Sequence, residues 1–222
     1  MLQASTLQFL HDIKNNNHKG WLDANRNAFD AAKGDFEQVI AEVIRLFGKK
    51  EEQIAGLTAK ECVFRQNRDV RFSKDKSPYK VNMGASIDRG GKKSGFAGYY
   101  LHCEPGDKSF VGGGLWMPEA PVLKKVRQEI DYCWDEFKKI INEKKFKEQY
   151  GDLEIAEFTL SREPKGYEKD NPAVKYLKLK SFVALKPITD EELLSKDLVK
   201  KITAAFGALL PLIRFINRSI EE

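Results

Sequence analysis

The first fifty residues place apolar side chains at helical intervals. Leu7, Phe9, Leu10 and Ile13 form one stripe behind a candidate cap at Ser5 or Thr6, and Asn15-Asn16-Asn17 closes it. A second helical stretch starts near Trp21 and Leu22. A third sets Phe36, Val39, Ile40, Val43, Ile44 and Phe47 three and four apart and stops at Gly48. Stripes of this kind are expected to be core faces.

From Glu61 the period falls to two. Lys80 to Ile87 alternates polar and apolar residues, as a half-buried strand does. Asp88 to Gly95 reads as a turn, Phe96 to Glu104 as a second strand, and Pro105-Gly106-Asp107 as a tight turn into Ser109 to Trp116. Short strands on short turns pair antiparallel, which predicts a meander of about four or more strands. Pro118 and Pro121 then open a helix with Leu123, Val126 and Ile130 on one face. The next helix carries Trp134, Phe137, Ile140 and Ile141.

After Gly151 the chain reads as irregular apart from a short apolar run at Glu157 to Leu160. Thr189 and Glu192 make a capping box for the last segment, whose helix is expected to be interrupted or kinked at Pro211. The expected architecture is α+β: a central antiparallel β-meander packed with N- and C-terminal helices in a single domain, 1–222. No internal repeat or low-complexity linker interrupts it.

Composition narrows this further. With 41% hydrophobic and 32% charged residues over 222 positions, the chain can bury a core unaided, which excludes wholesale disorder and a disulfide-stapled scaffold. The longest nearly apolar stretch, Ile202 to Ile213, is shorter than the roughly 20 residues that span a bilayer, so no membrane partner is expected. The N-terminus lacks a basic region ahead of an apolar run, and no signal peptide is expected. Cys62, Cys103 and Cys133 have no metal-ligand spacing; a reduced, cytoplasmic setting is expected, with no metal and no cofactor. The chain contains no HExxH, no CxxC pair, no nucleophile elbow and no complete P-loop or dinucleotide fingerprint.

Charge is uneven. Residues 60–93 hold ten Lys/Arg against four acids, +6, and leave the other 188 residues at −1. A second basic patch spans Arg162 to Lys180, with six bases against three acids. A near-neutral body with local basic segments suggests a site for an anion.

The segment VFRQNRDVRFSKDKSPYK, Val63 to Lys80, carries most of the candidate chemistry. In an extended chain Arg65, Asn67, Asp69 and Arg71 share one face, and Phe64, Gln66, Arg68, Val70 and Phe72 share the other. The second set resembles a core face, so Arg68 is expected to be paired inside or re-aimed by a bulge near Asn67. Guanidiniums flanking one carboxylate suit bidentate capture of a phosphate or carboxylate; equally, Asp69 could simply neutralise its neighbours in an ion network. Asp69 between arginines should have a lowered pKa and make a poor base. Lys80 and Asn82 lie on the polar face of the next strand and could join the site. His102 shares a face with Tyr100, but no partner acid or nucleophile is evident, Cys103 and Glu104 being its neighbours in the chain. Gly112-Gly113-Gly114 could form an anion-binding nest, or else mark close backbone approach.

Four stretches, FRQNRDVRFSKDKSPYK, GYYLHCEPGDKSFVGGGLWMP, SREPKGYEKDNPAVKYLKLKSF and the opening FLHDIKNNNHKGWLDANR, resemble a "domain of unknown function" family of bacterial and fungal conserved hypothetical proteins. PLIRFIN resembles its close, so the likeness covers nearly the whole chain. The family pattern falls on Phe64, Arg65, Arg68, Asp69, Arg71, Phe72, Ser73, Lys74, Asp75, Lys76, Pro78, Tyr79 and Lys80, and later on Gly113, Gly114, Trp116, Pro118, Arg162, Pro164, Gly166, Tyr167 and Pro172. Where the family pattern has a histidine before that last proline, this chain has Asn171, which argues against a catalytic histidine there. The resemblance implies a single domain and assigns no particular activity to it.

The candidate ligand-binding residues are Arg65, Arg68, Asp69, Arg71, Ser73, Lys76, Tyr79, Lys80, His102 and Trp116, with Arg162, Lys165 and Tyr167 closing from the later loop. The expected partner is an anionic small molecule or nucleic acid, for which Arg, Tyr and Trp suit phosphate contact and base stacking. Two alternatives stand beside this. One is an enzyme of phosphoryl or acyl-group chemistry, with the arginines stabilising charge and Asp75, Ser73, Tyr79 or His102 handling protons. The other is a scaffold module in which the arginines are only structural.

Overall fold

A computed structural model of the chain describes residues 1–155 and 159–221. Ten helices are described: α1 (Ala4–Asn15), α2 (Lys19–Ala24), α3 (Arg26–Phe47), α4 (Ala59–Cys62), α5 (Ala120–Tyr132), α6 (Trp134–Ile141), α7 (Lys144–Tyr150), α8 (Val174–Leu177), α9 (Asp190–Leu194) and α10 (Leu198–Glu221). Four strands, β1 (Met83–Asp88), β2 (Gly98–Cys103), β3 (Ser109–Leu115) and β4 (Phe182–Ile188), form an antiparallel meander in the order β1-β2-β3-β4. The fold is α+β.

Three of these strands coincide with the period-two stretches. The fourth is Phe182–Ile188, from the region the pattern leaves irregular. The Arg-rich segment, by contrast, is no strand: its ladder pairing is limited to the isolated bridges Val63↔Ala85 and, between its own two legs, Asn67↔Tyr79. Of the apolar run at 157–160, Glu157 and Phe158 lie outside the described residues.

Backbone packing divides the chain into two compact units, with the divisions falling inside β2, β3, β4 and α10. The first comprises Met1–Lys93, Tyr100–Val111 and Pro187–Ala204. Its core is built where α1 lies on α3, burying Leu7, Phe9, Leu10 and Ile13 against Phe36, Val39, Ile40, Val43, Ile44 and Phe47. The cap of α1 differs from the expected one. Ser5 and Thr6 lie inside the helix, and Asp35 of α3 does the capping instead. Its Oδ2 accepts the Gln3 N–H at 2.8 Å and the Thr6 hydroxyl at 2.6 Å. The Thr189–Glu192 capping box forms as the sequence predicts and starts α9.

The second unit comprises Ser94–Tyr99, Gly112–Lys186 and Ala205–Glu222. Phe137 is its hub, with ring centroids 5.2 Å from Tyr176 and 5.5 Å from Phe215. Tyr99 packs on Phe206 at 4.8 Å. The helix α10 runs through Pro211. The three glycines of β3 resolve to close backbone approach. A Cβ on Gly112 would lie 2.2 Å from the Ala184 carbonyl, on Gly113 2.3 Å from that of Gly98, and on Gly114 1.9 Å from that of Phe182. Gly114 also has φ near +129°, a conformation that L side chains rarely adopt.

Among the described residues, no helix is long and apolar enough to cross a membrane.

Candidate functional site

The site grows from the two legs of the Arg-rich segment. Arg68 N–H donates to the Pro78 carbonyl at 2.9 Å and Lys80 N–H to the Gln66 carbonyl at 2.8 Å, so residues 66–68 and 78–80 lie side by side. Gln66 is buried and acts as backbone glue, its amide donating to the carbonyls of Lys80 and, at 3.3 Å, Asn82. That explains why a polar residue sits where the alternation suggested a core face. Phe64 and Phe72, from the same set, point the other way: they are 36% and 96% exposed.

Between the legs the loop is stitched by its own side chains. Arg68 donates to Asp75, to the Ser77 carbonyl at 3.2 Å and to the Ser73 hydroxyl at 3.3 Å. Asp75 in turn accepts the Ser77 N–H at 2.9 Å and its hydroxyl at 2.6 Å. These Ser77 bonds, followed by the Arg68 guanidinium, hold the Asp75 carboxyl well below the usual carboxylate range. Lys76 reaches back to the Val70 carbonyl at 2.9 Å. Arg71 forms a fork on Asp69, at 2.9 and 2.7 Å, and lowers that carboxyl's pKa.

The guanidiniums of the segment divide their labour. Arg68 and Arg71 each hold a carboxylate of their own loop, and the three guanidiniums share no hydrogen-bond acceptor. Arg68 is paired, as its place in the segment required. Arg65 is exposed and makes no ion pair among the described residues; its charge falls on Asp69 and on Lys80. Lys80 is half-buried, its ammonium 5.2 Å from the centre of the Phe64 ring. Burial first, and then Arg65, push the Lys80 pKa down. Among the described residues Lys80 likewise forms no ion pair, and Asp69, which feels the Arg65 charge, is itself held by Arg71.

Beside them lies a row of rings. Along β1 and β2, Met83, Ala85, Ile87 and Leu101 face the core, so Gly84, Ser86, Tyr100 and His102 face the opposite side. Tyr100 stands 6.4 Å from Phe64 and 5.8 Å from Phe110 between ring centroids, and His102 stacks on Phe110 at 4.6 Å and 6°. Gly84 makes room for Tyr100, whose hydroxyl lies 2.5 Å from where a Cβ would be. The imidazole of His102 is held at both nitrogens, Nδ1 at 3.3 Å from the Asn82 amide and Nε2 at 3.2 Å from Glu104. Glu104, two residues on, shares the face of His102, a relation that its closeness in the chain disguises. Phe64, Tyr100, Phe110 and Glu104 are the residues missed. The alternation that puts Tyr100 and His102 on one face was the available signal for the row, but nothing in it marks which face stays open.

The remaining candidates divide as follows. Tyr79 is buried, Ser73 is half-buried against Arg68, and Lys76 is used in the loop. Trp116 is 62% exposed just past β3. In the second unit Arg162 and Lys165 are exposed, and Tyr167 is half-buried, its phenol pKa raised by burial and by Asp131. Burial pushes the Cys62 thiol up to about 11 and that of Cys103 up to about 12, and burial with the nearby Glu129 raises that of Cys133 as well. No group of three or more metal-ligating side chains occurs among the described residues.

An α+β meander with a ring-lined, cation-edged face is thus the class that the geometry defines. The chain belongs to the conserved hypothetical protein family DUF2461, whose profile it matches over residues 5–215. No curated protein and no solved structure matches it.

Proposed function

We propose that the protein binds a phosphate- or carboxylate-bearing ligand at the edge formed by Arg65 and Lys80, with the Phe64–Tyr100–Phe110 row as the wall against which the rest of the ligand packs. One observation carries this reading: the half-buried Lys80 sets its ammonium 5.2 Å from the Phe64 ring centre, its backbone is bonded to Gln66 next to the exposed Arg65, and among the described residues neither cation forms an ion pair. Like charges brought together and partly desolvated are stabilised by an anion, and a guanidinium beside an ammonium matches its oxygens. Arg68 and Arg71 build the loop in this reading, and His102, with both ring nitrogens engaged, orients the wall rather than moving a proton.

The experiment is isothermal calorimetry at low salt with inorganic phosphate, ATP and citrate, on the wild type and on Arg65→Ala/Lys80→Ala. Binding of at least one of these anions that the double variant weakens tenfold or more supports the site. Absence of heat and of thermal stabilisation with all of them overturns it.

A further inference from the structure

Two ring–cation stations lie on the single segment from Phe64 to Lys80. At the first, the Lys80 ammonium sits 5.2 Å from the Phe64 ring centre, and Phe64 is backed by Tyr100. At the second, the Arg71 guanidinium lies 5.8 Å from the centre of the Phe72 ring, which is almost wholly in water. A phenylalanine on a slack loop would fold back onto the protein, because burying it is worth a few kcal/mol. Phe72 is denied that by the stitching around it: Arg68 to Asp75 and Ser73, Asp75 to Ser77, and Lys76 to Val70 fix the backbone on either side. The loop holds an aromatic ring outward at a conformational cost already met before any partner arrives.

Resting on the reading of the Arg65–Lys80 edge as an anion site, we infer that the ligand is single-stranded nucleic acid, whose bases stack on Phe64 and Phe72 while its phosphates meet Arg65, Lys80 and the exposed cations of the loop. Both stations supply a flat π-face; at the first, Lys80 forms no ion pair among the described residues, and at the second, where Asp69 holds Arg71, the exposed Lys74 follows two positions after Phe72, in a stretch 60–93 that carries +6. An anionic bilayer fits less well. An inserting tip presents contiguous apolar residues, whereas Phe72 is flanked by Arg71 and by Ser73 and Lys74. A base needs only one ring.

The test is fluorescence anisotropy with labelled oligo-dT and oligo-rU of roughly 15 nucleotides, against a duplex of equal length, with ATP and phosphatidylserine vesicles as comparators. Single strands are expected to bind more tightly than ATP and than the duplex, with affinity falling as salt rises. Phe72→Ala should weaken the single strands about tenfold with an unchanged melting temperature, its ring touching little in the fold. Phe64→Leu, which keeps apolar bulk without a π-face, should weaken them too. Oligonucleotides that bind no better than ATP, an unaffected Phe72→Ala, or Phe72-dependent binding to vesicles alone would each overturn the nucleic-acid assignment. ATP binding retained in the first two cases would leave the anion site standing; silence toward every anion would remove both.

Discussion

The side chain of Asn17 closes a reciprocal pair with the backbone of Tyr79: its Oδ1 accepts the Tyr79 N–H at 3.0 Å and its Nδ2 donates to the Tyr79 carbonyl at 2.9 Å. Successive residues of an extended chain turn their peptide groups to opposite sides. Pro78 and Lys80 are bonded to the other leg of the Arg-rich segment, and Tyr79 is left facing away, where Asn17 stands in for a missing strand. Asn217 repeats the device in the second unit, accepting from Ala97 N–H at 2.8 Å and donating to its carbonyl at 3.0 Å.

Asn17→Ala should therefore cost about 1–3 kcal/mol in urea denaturation, the penalty for stranding part-buried backbone groups. Asn17→Asp, which keeps the acceptor and loses the donor, is expected between the wild type and Ala. Because Asn217 is buried, Asn217→Ala should cost at least as much as Asn17→Ala.

Gly84→Ala is expected to displace the Tyr100 ring, since the new methyl would overlap its hydroxyl at 2.5 Å. The ring aligns Phe64 and Phe110, so ligand affinity should fall several-fold while much of the stability survives. Gly84→Ala/Tyr100→Phe removes the nearest atom and should recover part of the loss, read by anisotropy and by thermal melting side by side.

The arginines should separate by assay. Arg65→Ala removes an exposed charge that repels Lys80, and is expected to leave the melting temperature unchanged or slightly higher while weakening anion binding. Arg68→Ala leaves Asp75, Ser73 and the Ser77 carbonyl without their shared donor. Limited proteolysis should then cut within residues 69–77 faster than in the wild type.

Asp88 predicts a pH profile. Burial pushes its carboxyl up to about 7, against the opposing pull of the Ser86 hydroxyl bonded to it at 2.8 Å. Below pH ~4 the group is protonated whether folded or unfolded. Between there and about pH 7 the unfolded chain loses this proton and the folded chain keeps it. Stability therefore declines as pH rises through that window, by up to about 4 kcal/mol, and levels off above it. Denaturation of Asp88→Asn across the same range should lack this decline and leave the variant the more stable protein at pH 8.

The elements with a strong period were legible from the chain: α1 and α3 by their stripes, β1 to β3 by alternation, and α9 by its capping box. Phe182–Ile188 was hidden because Phe182, Val183 and Ala184 are all buried, a continuous apolar run in which period two cannot show. In the site, Arg65 and Lys80 could be named from charge alone. Their isolation from Arg68 and Arg71 could not, because it depends on which carboxylate each guanidinium meets, and Asp75 is seven positions from Arg68. An extended strand would turn Phe64 and Phe72 inward, but the chain makes only single bridges there, and both rings stand outward.

The glycine run of β3 has a mechanical consequence. Carbonyls of Ala184, Gly98 and Phe182 crowd the places where its side chains would stand, so these strands are packed spine to spine with no slack between them. Even one added methyl group there must shoulder a neighbouring strand aside. Any reshaping of this protein would have to be written elsewhere, in stretches whose side chains still have room to change.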